Sequence, residues 1–165
     1  MFLLTKKNED SLRGKGELWR NKAIELRRSR RLNENERALI EFIQTLDEKY
    51  EHLLVVVEGK RDVTVLQNLG LKAPIIKTQT LLPRYKLIEK IVTTAGKKGQ
   101  VLILTDFDQE GKAIYKLIEK ELELSGTKNL KRERRMIRKF MDTWICIEQL
   151  VSLFKRKDSP EAIDP

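Results

Sequence analysis

Cysteine and histidine are almost absent: the 165-residue chain has one of each, Cys146 and His52. A lone thiol cannot close an internal disulfide or build a thiolate zinc site. A lone imidazole gives no reason to expect a Ser-His-Asp or Cys-His centre. Long apolar runs are also missing, since no stretch approaches the ~18 residues that span a bilayer. The opening Met1-Phe2-Leu3-Leu4 is shorter than the ~7–15 apolar residues of a signal-peptide core. The expectation is a cytoplasmic protein with no membrane partner. At ~150 residues per domain the length suits one domain with small appendages.

Acidic charge is the minority sign, with 34 Lys and Arg against 25 Asp and Glu. The excess is unevenly placed. Residues 1–37 carry 11 basic and 6 acidic side chains, residues 38–125 carry 13 of each, and residues 126–157 carry 10 basic and 3 acidic. A neutral middle is thus flanked by two basic segments, a distribution that suits a polyanion, nucleic acid before others. Charge runs alone are more often solvated helix faces. Within the first flank Arg27, Arg28, Arg30 and Arg31 occupy four of five positions, and residues 1–35 read as a basic arm or marginal helix. In the second, Lys131, Arg132, Arg134, Arg135, Arg138 and Lys139 lie on a helix whose other face carries Met136, Ile137, Phe140 and Met141. The tail from 158 to 165, with two prolines, reads as disordered.

Periodicity organises the middle. After a cap at Asn33 or Asn35, the spacing of Leu39, Phe42, Ile43, Leu46 and Tyr50 predicts a helix. Leu53–Val57 (LLVVV) is an unbroken run rich in β-branched residues, the mark of a strand buried on both faces. A helix over 62–69, a strand over 74–80, a helix from Pro83 to about Ala95, a strand over 101–105 and a helix over 113–124 follow. Three strand–helix alternations predict a parallel sheet with right-handed crossovers. Residues 143–147 (TWICI) fit either a continued helix or a short fourth strand. The domain proper is expected over 36–157, ending in a helical extension.

Ligands of open parallel sheets bind beyond the carboxyl ends of the strands, where the strand order reverses. With an order 2-1-3, the strands ending at Glu58-Gly59-Lys60-Arg61-Asp62 and Asp106-Phe107-Asp108-Gln109-Glu110-Gly111 are neighbours there. Both exits are acidic in a basic protein. Unit charges ~4 Å apart repel by ~4 kcal/mol at an effective dielectric of about 20, so these carboxylates must hold protons or a cation. Hard oxygen donors favour Mg2+, with Mn2+ second. Gly59 and Gly111 would let backbone approach a ligand. An Asp-x-Asp loop alone is more often a turn or helix cap; the Glu-Gly at the companion strand end makes the metal reading preferable. Lys60, Arg61 and Arg84 are candidates to steer phosphate. Tyr50, Tyr85 and Tyr115 fall in predicted helices and read as core or surface packing residues.

The two motifs, Val57-Glu58-Gly59-Lys60-Arg61-Asp62 and Leu104-Thr105-Asp106-Phe107-Asp108-Gln109-Glu110-Gly111, resemble those of the Toprim domain. That module occurs in topoisomerases, bacterial-type primases, the 5S ribosomal RNA maturation nuclease, OLD-family nucleases and recombination mediators. The resemblance covers roughly residues 51–125. It implies an α/β, Rossmann-like three-layer fold: a small parallel sheet flanked by helices, here with the basic N-terminal arm and C-terminal helical extension added. It also implies catalytic roles for three residues, Glu58 as general acid or base and Asp106 and Asp108 as Mg2+ ligands. The metal set extends to Glu58 and Glu110, the latter standing where topoisomerases have a third acid. Lys112 departs from the topoisomerase pattern, and Thr78–Leu82 lacks a glycine that some nuclease relatives carry.

The form Glu58-Gly59-Lys60-x-Asp62 looks most like the small stand-alone branch, similar to the 5S maturation nuclease and of archaeal type. A topoisomerase needs a gate and a tyrosine domain, and primases and recombination mediators need zinc cysteines. What remains is a metal-dependent nuclease acting on nucleic acid, RNA before DNA, alone or with a ribosome or RNA-processing complex. The rival expectation is a non-catalytic RNA- or ribosome-binding Toprim module. Strand transfer in a multi-subunit assembly is a weaker third.

Overall fold

The computed structural model describes residues 32–155, of which Asn33–Leu153 form one compact unit. The arginines of the basic arm and the 158–165 tail lie outside the described residues.

The unit opens with α1 (Glu34–Lys49), whose start is fixed by a capping box: Glu36 N donates to Asn33 Oδ1 at 2.8 Å and Asn33 N to Glu36 Oε1 at 3.0 Å. There follow β1 (Leu53–Val57), α2 (Lys60–Asn68), β2 (Ile75–Lys77), α3 (Arg84–Ala95), β3 (Gln100–Ile103), α4 (Gln109–Ser125), β4 (Lys128–Asn129), α5 (Lys131–Met141) and a 3-10 helix, Ile147–Lys155. The strands form one parallel sheet in the order β2-β1-β3-β4. This is the parallel α/β sheet that the alternation predicts.

β1 is buried along its whole length, so both sheet faces are covered. One face, lined by Leu54, Val56, Ile76, Val101 and Ile103, packs on Leu87 and Ile91 of α3 and Ile118 and Leu122 of α4. Because the chain reverses direction after β2, right-handed crossovers put α2 on the opposite face from α3. α5 packs on β3, and α1 packs on α5, where Phe42 meets Phe140 edge-on at 5.8 Å.

Three expectations are corrected. α2 starts two residues early, at Lys60, because Asp62 at its third position reaches back to the Gly59 amide (3.0 Å). β2 is shorter than 74–80: Thr78 and Gln79 still donate to Val57 O and Glu58 O, but the chain then turns off the sheet. The fourth strand is not at 143–147, where turn and loop over 143–146 lead into the 3-10 helix at Ile147. It is β4, whose Lys128 and Asn129 pair with Gln100 and Val101; two polar residues carry no strand signal.

Candidate metal centre at the carboxyl edge of the sheet

The order β2-β1-β3 makes the β1/β3 boundary the switch point of the sheet. Glu58 follows the last residue of β1 there, and Asp106 stands just beyond β3. Glu58 Oε1 accepts the Asp106 amide at 3.0 Å, which ties the two exits together. Asp106 Oδ1 in turn accepts the Ile147 amide at 3.1 Å, and Phe107 N donates to Ile145 O. The 145–147 segment is thereby held against the β3 exit. Asp108 is the N-cap of α4, with Oδ1 on Gly111 N at 2.8 Å. Gly111 is required by packing rather than by a ligand: a Cβ there would lie 2.1 Å from Asp106 O.

Asp106, Asp108 and Cys146 bring one donor atom each to within 4.8 Å of one another. The two aspartates are the expected pair; Glu58 and Glu110 are not in this group. Glu110 is exposed on the first turn of α4. Cys146 is the member that sequence reasoning missed. It lies 38 positions beyond Asp108 with no motif around it, and the only usable signal would have been that 143–147 folds back onto the β3 exit.

Charge balance shows what the group lacks. Burial raises the Glu58 carboxyl above its ordinary range; the Asp106 amide counteracts this, and Asp106, Asp108 and Asp62 add to it. Asp106 is raised by burial and by Asp108 and Glu148, against the lowering effect of the Ile147 amide and of a hydrogen bond from Cys146. Asp62, only 3 % exposed, is pushed up to about 6 by burial and by Asp106 and Glu148, despite the Gly59 amide. Its buried Oδ1 has no hydrogen-bond partner. The Cys146 thiol is pushed up to about 11, by burial first and then by Asp106 and Asp108. Burial is the largest cause of each shift and neighbouring negative charge adds to it; a divalent cation beside Asp106 and Asp108 relieves that second part. The two aspartates are hard oxygen donors that fit such an ion, with the Cys146 thiol beside them.

Beneath the acids lies a cation. Arg134, only 6 % exposed, donates through Nη1 to Ile103 O and Thr105 O, both at 2.9 Å. Its guanidinium stacks on Phe107 (4.4 Å) and Tyr115 (4.2 Å). Burial lowers its pKa to about 10, which leaves it charged at neutral pH, and Glu58 and Asp106 lie near enough to favour that charge. Arg134 therefore corrects the expectation of a nucleic-acid contact: it braces the end of β3.

The other expected basic residues divide. Arg138 is half-buried, bonds Asp142 O at 2.7 Å and lies over Phe107. Lys131 pairs with Glu123 at 3.1 Å. Arg132, Arg135 and Lys139 are exposed, as are Lys60, Arg61 and Arg84; Arg61 lies 3.9 Å from Glu148 across the rim of the site. Tyr50 and Tyr115 do pack, whereas Tyr85 is exposed.

A parallel sheet whose β1/β3 boundary carries a Glu-Gly exit and an Asp-x-Asp exit is the Toprim arrangement, and the family model of the Toprim domain matches residues 53–140. The chain belongs to the Toprim family. More particularly, it is similar to archaeal proteins of the UPF0292 group. It is 36 % identical to the one from Methanocaldococcus jannaschii over 117 residues, 70 % of this chain and 87 % of that one. It is 41 % identical to one from Thermococcus gammatolerans over 90 residues, 54 % of this chain and 62 % of that one. A solved protein from Aquifex aeolicus superposes with a TM-score of 0.55 at 25 % identity, covering 66 % of this chain and 94 % of that one. Toprim domains act in nucleic-acid metabolism and bind divalent metals, and the acidic group described above accords with both. Among the described residues no helix is long and apolar enough to cross a membrane.

Proposed function

We propose that the protein is a Mg2+-dependent phosphodiesterase acting on nucleic acid, RNA in preference to DNA. The observation that carries this reading is the hydrogen-bonded juxtaposition of Glu58 with Asp106 at the switch point, with Asp108 and Cys146 around the same spot. Asp106 and Asp108 hold the ion; when bound, Mg2+, or Mn2+ in its place, stabilises the charge that develops on the phosphate oxygens. Glu58 moves the proton. Its Oε1 is engaged by the Asp106 amide, so Oε2 is the atom that takes a proton from the attacking water or gives one to the leaving oxygen. Burial, with Asp106 and Asp108 nearby, raises its pKa, which favours its holding a proton to exchange. Water oxygen bonds to phosphorus, the bond to the leaving oxygen breaks, and that oxygen departs protonated. Lys60 and Arg61, exposed at the rim, orient the phosphate. Arg132 and Arg135 supply non-specific affinity, together with Arg27, Arg28, Arg30 and Arg31 of the arm. RNA is favoured by the resemblance of the Glu58–Asp62 motif to the 5S maturation branch, free or within a ribosome or processing complex.

The test uses labelled RNA and DNA strands with and without Mg2+, and one preparation procedure for all proteins. Glu58→Gln is expected to bind as well as the wild type and to cleave ~10²–10⁴-fold more slowly. Asp106→Asn is expected to lose both rate and metal dependence. Binding without any metal-dependent cleavage in the wild type would instead make the protein a non-catalytic RNA-binding module.

A further inference from the structure

We infer that the segment from Thr78 to Lys86 is a platform for unpaired nucleotides beside the metal centre, which gives the protein a preference for single-stranded or locally melted substrate. The inference rests on the nucleic-acid reading above and adds to it the form of the strand.

Position is the first argument. This segment leaves the carboxyl end of β2, next to β1 in the sheet. Adjacent strands lie about 4.8 Å apart, so the segment begins one strand spacing from the Glu58 exit. It is tied there: Thr78 N donates to Val57 O at 2.8 Å, and Gln79 N to Glu58 O at 2.9 Å. The Gln79 side chain closes over Gly59, where a Cβ would lie 2.9 Å from its Oε1. A strand with its phosphate at Glu58 can therefore pass over this segment.

Surface chemistry is the second. Leu81 is fully exposed, Leu82 is partly so, and Tyr85 is 67 % exposed on the first turn of α3. Large apolar side chains left in water on one short segment mark an interaction surface. The other large apolar side chains exposed among the described residues, Leu124, Ile145 and Val151, do not share one short segment. The same stretch, Lys77 to Lys86, holds Lys77, Arg84 and Lys86 and no acid, and those cations are exposed. Apolar and aromatic faces set among cations, with no carboxylate, match the two parts of a single strand: π-faced bases and a polyanionic backbone. A duplex hides its base faces and has no use for the apolar part. A second copy of this +9 chain, meeting three cations here, is opposed by charge.

The experiment measures binding of a fluorescein-labelled 12-nucleotide RNA and of its duplex with the complementary strand, in Ca2+ in place of Mg2+. A second single strand carries 2-aminopurine to report stacking. Stacking contributes ~1–3 kcal/mol per base. Tyr85→Ala, and separately Leu81→Ser with Leu82→Ser, are expected to weaken single-strand binding about 10-fold and duplex binding less than 2-fold. Melting temperatures should be unchanged, since these side chains are exposed. Tyr85→Trp should keep the affinity and quench 2-aminopurine at least as strongly as the wild type. Unchanged single-strand affinity in Tyr85→Ala overturns the platform; if Asp106→Asn still abolishes cleavage, the phosphodiesterase reading stands without it. Equal losses on both probes overturn the strand preference, as does a change in self-association in place of RNA affinity. No RNA or DNA binding by the wild type overturns both readings.

Discussion

The two faces of α5 hold the same residue types and use them in opposite ways. Leu130, just before the helix, and Glu133, Arg134, Ile137 and Met141 form a buried stripe at three- and four-residue spacing. Arg132, Arg135 and Lys139 lie outside in water. The inward charges have partners: Arg134 on two strand carbonyls and two rings, and Glu133 on the Tyr50 hydroxyl. Tyr50 is itself pushed up to about 12, by burial and by that bond. A charge can stand in place of an apolar residue on an inward stripe when another segment supplies its partner. The outward charges face water, and their value lies in what they attract.

Substitutions can break this comparison. The largest effect is expected from Arg134→Ala, which leaves Ile103 O and Thr105 O without their donor and removes the cation beneath three acids. A destabilisation of ~3–5 kcal/mol is expected, read from urea midpoints, with Arg134→Lys restoring part of it but not the stacking on Phe107 and Tyr115. A cost no greater than that of an outward arginine would dissolve the distinction. Tyr50→Phe comes next: it strands the buried Glu133 carboxylate, for ~1–3 kcal/mol. The double variant with Glu133→Gln should cost less than the sum of the two singles.

Asp62 sharpens the contrast, since its buried Oδ1 has no partner. Its pKa is raised to about 6 in the folded chain from 3.8, so between those values the folded state binds more protons than the unfolded one. Metal-free protein should therefore gain stability as pH falls from about 6 towards 4, and lose it as pH rises through that window. Asp62→Asn should remove its share of this slope, leaving that of Glu58 and Asp106, whose carboxyls are also raised, and Mg2+ should flatten it in the wild type; a pH series of melting temperatures decides. The smallest effect on stability is expected for Arg132→Ala with Arg135→Ala, within about 0.5 kcal/mol. The same pair should weaken single-strand RNA binding and flatten the slope of log K against log salt by ~0.7 for each phosphate no longer neutralised. An unchanged salt slope would remove these residues from the interface.

Much of this was legible in the sequence. LLVVV and VLIL announce buried strands by composition alone, and their acidic exits locate the centre once a parallel sheet is assumed. The helices of the middle follow from apolar spacing and from Asn33 and Pro83 at two of their starts. What escaped has a common cause, in that its meaning depends on neighbours distant in sequence. Arg134 looks like the other basic residues of its helix until Ile103 and Thr105 are placed beside it. Cys146 looks inert until residues 145–147 dock on Asp106 and Phe107. β4 is two polar residues that become a strand only because β3 offers an edge. Tyr85, read as core or surface packing, falls on the surface because α3 turns Leu87 and Ile91 to the core.

The sheet tapers. It is five residues long at β1, three at the β2 edge and two at the β4 edge, and each edge strand carries an exposed lysine, Lys77 or Lys128. Another chain seeking to extend the sheet finds two or three peptide groups on either side, beside a positive charge it must cover. Strand-by-strand growth into fibrils, the hazard of any open sheet, is restricted at both borders, so the sheet of the described residues offers little backbone through which to aggregate.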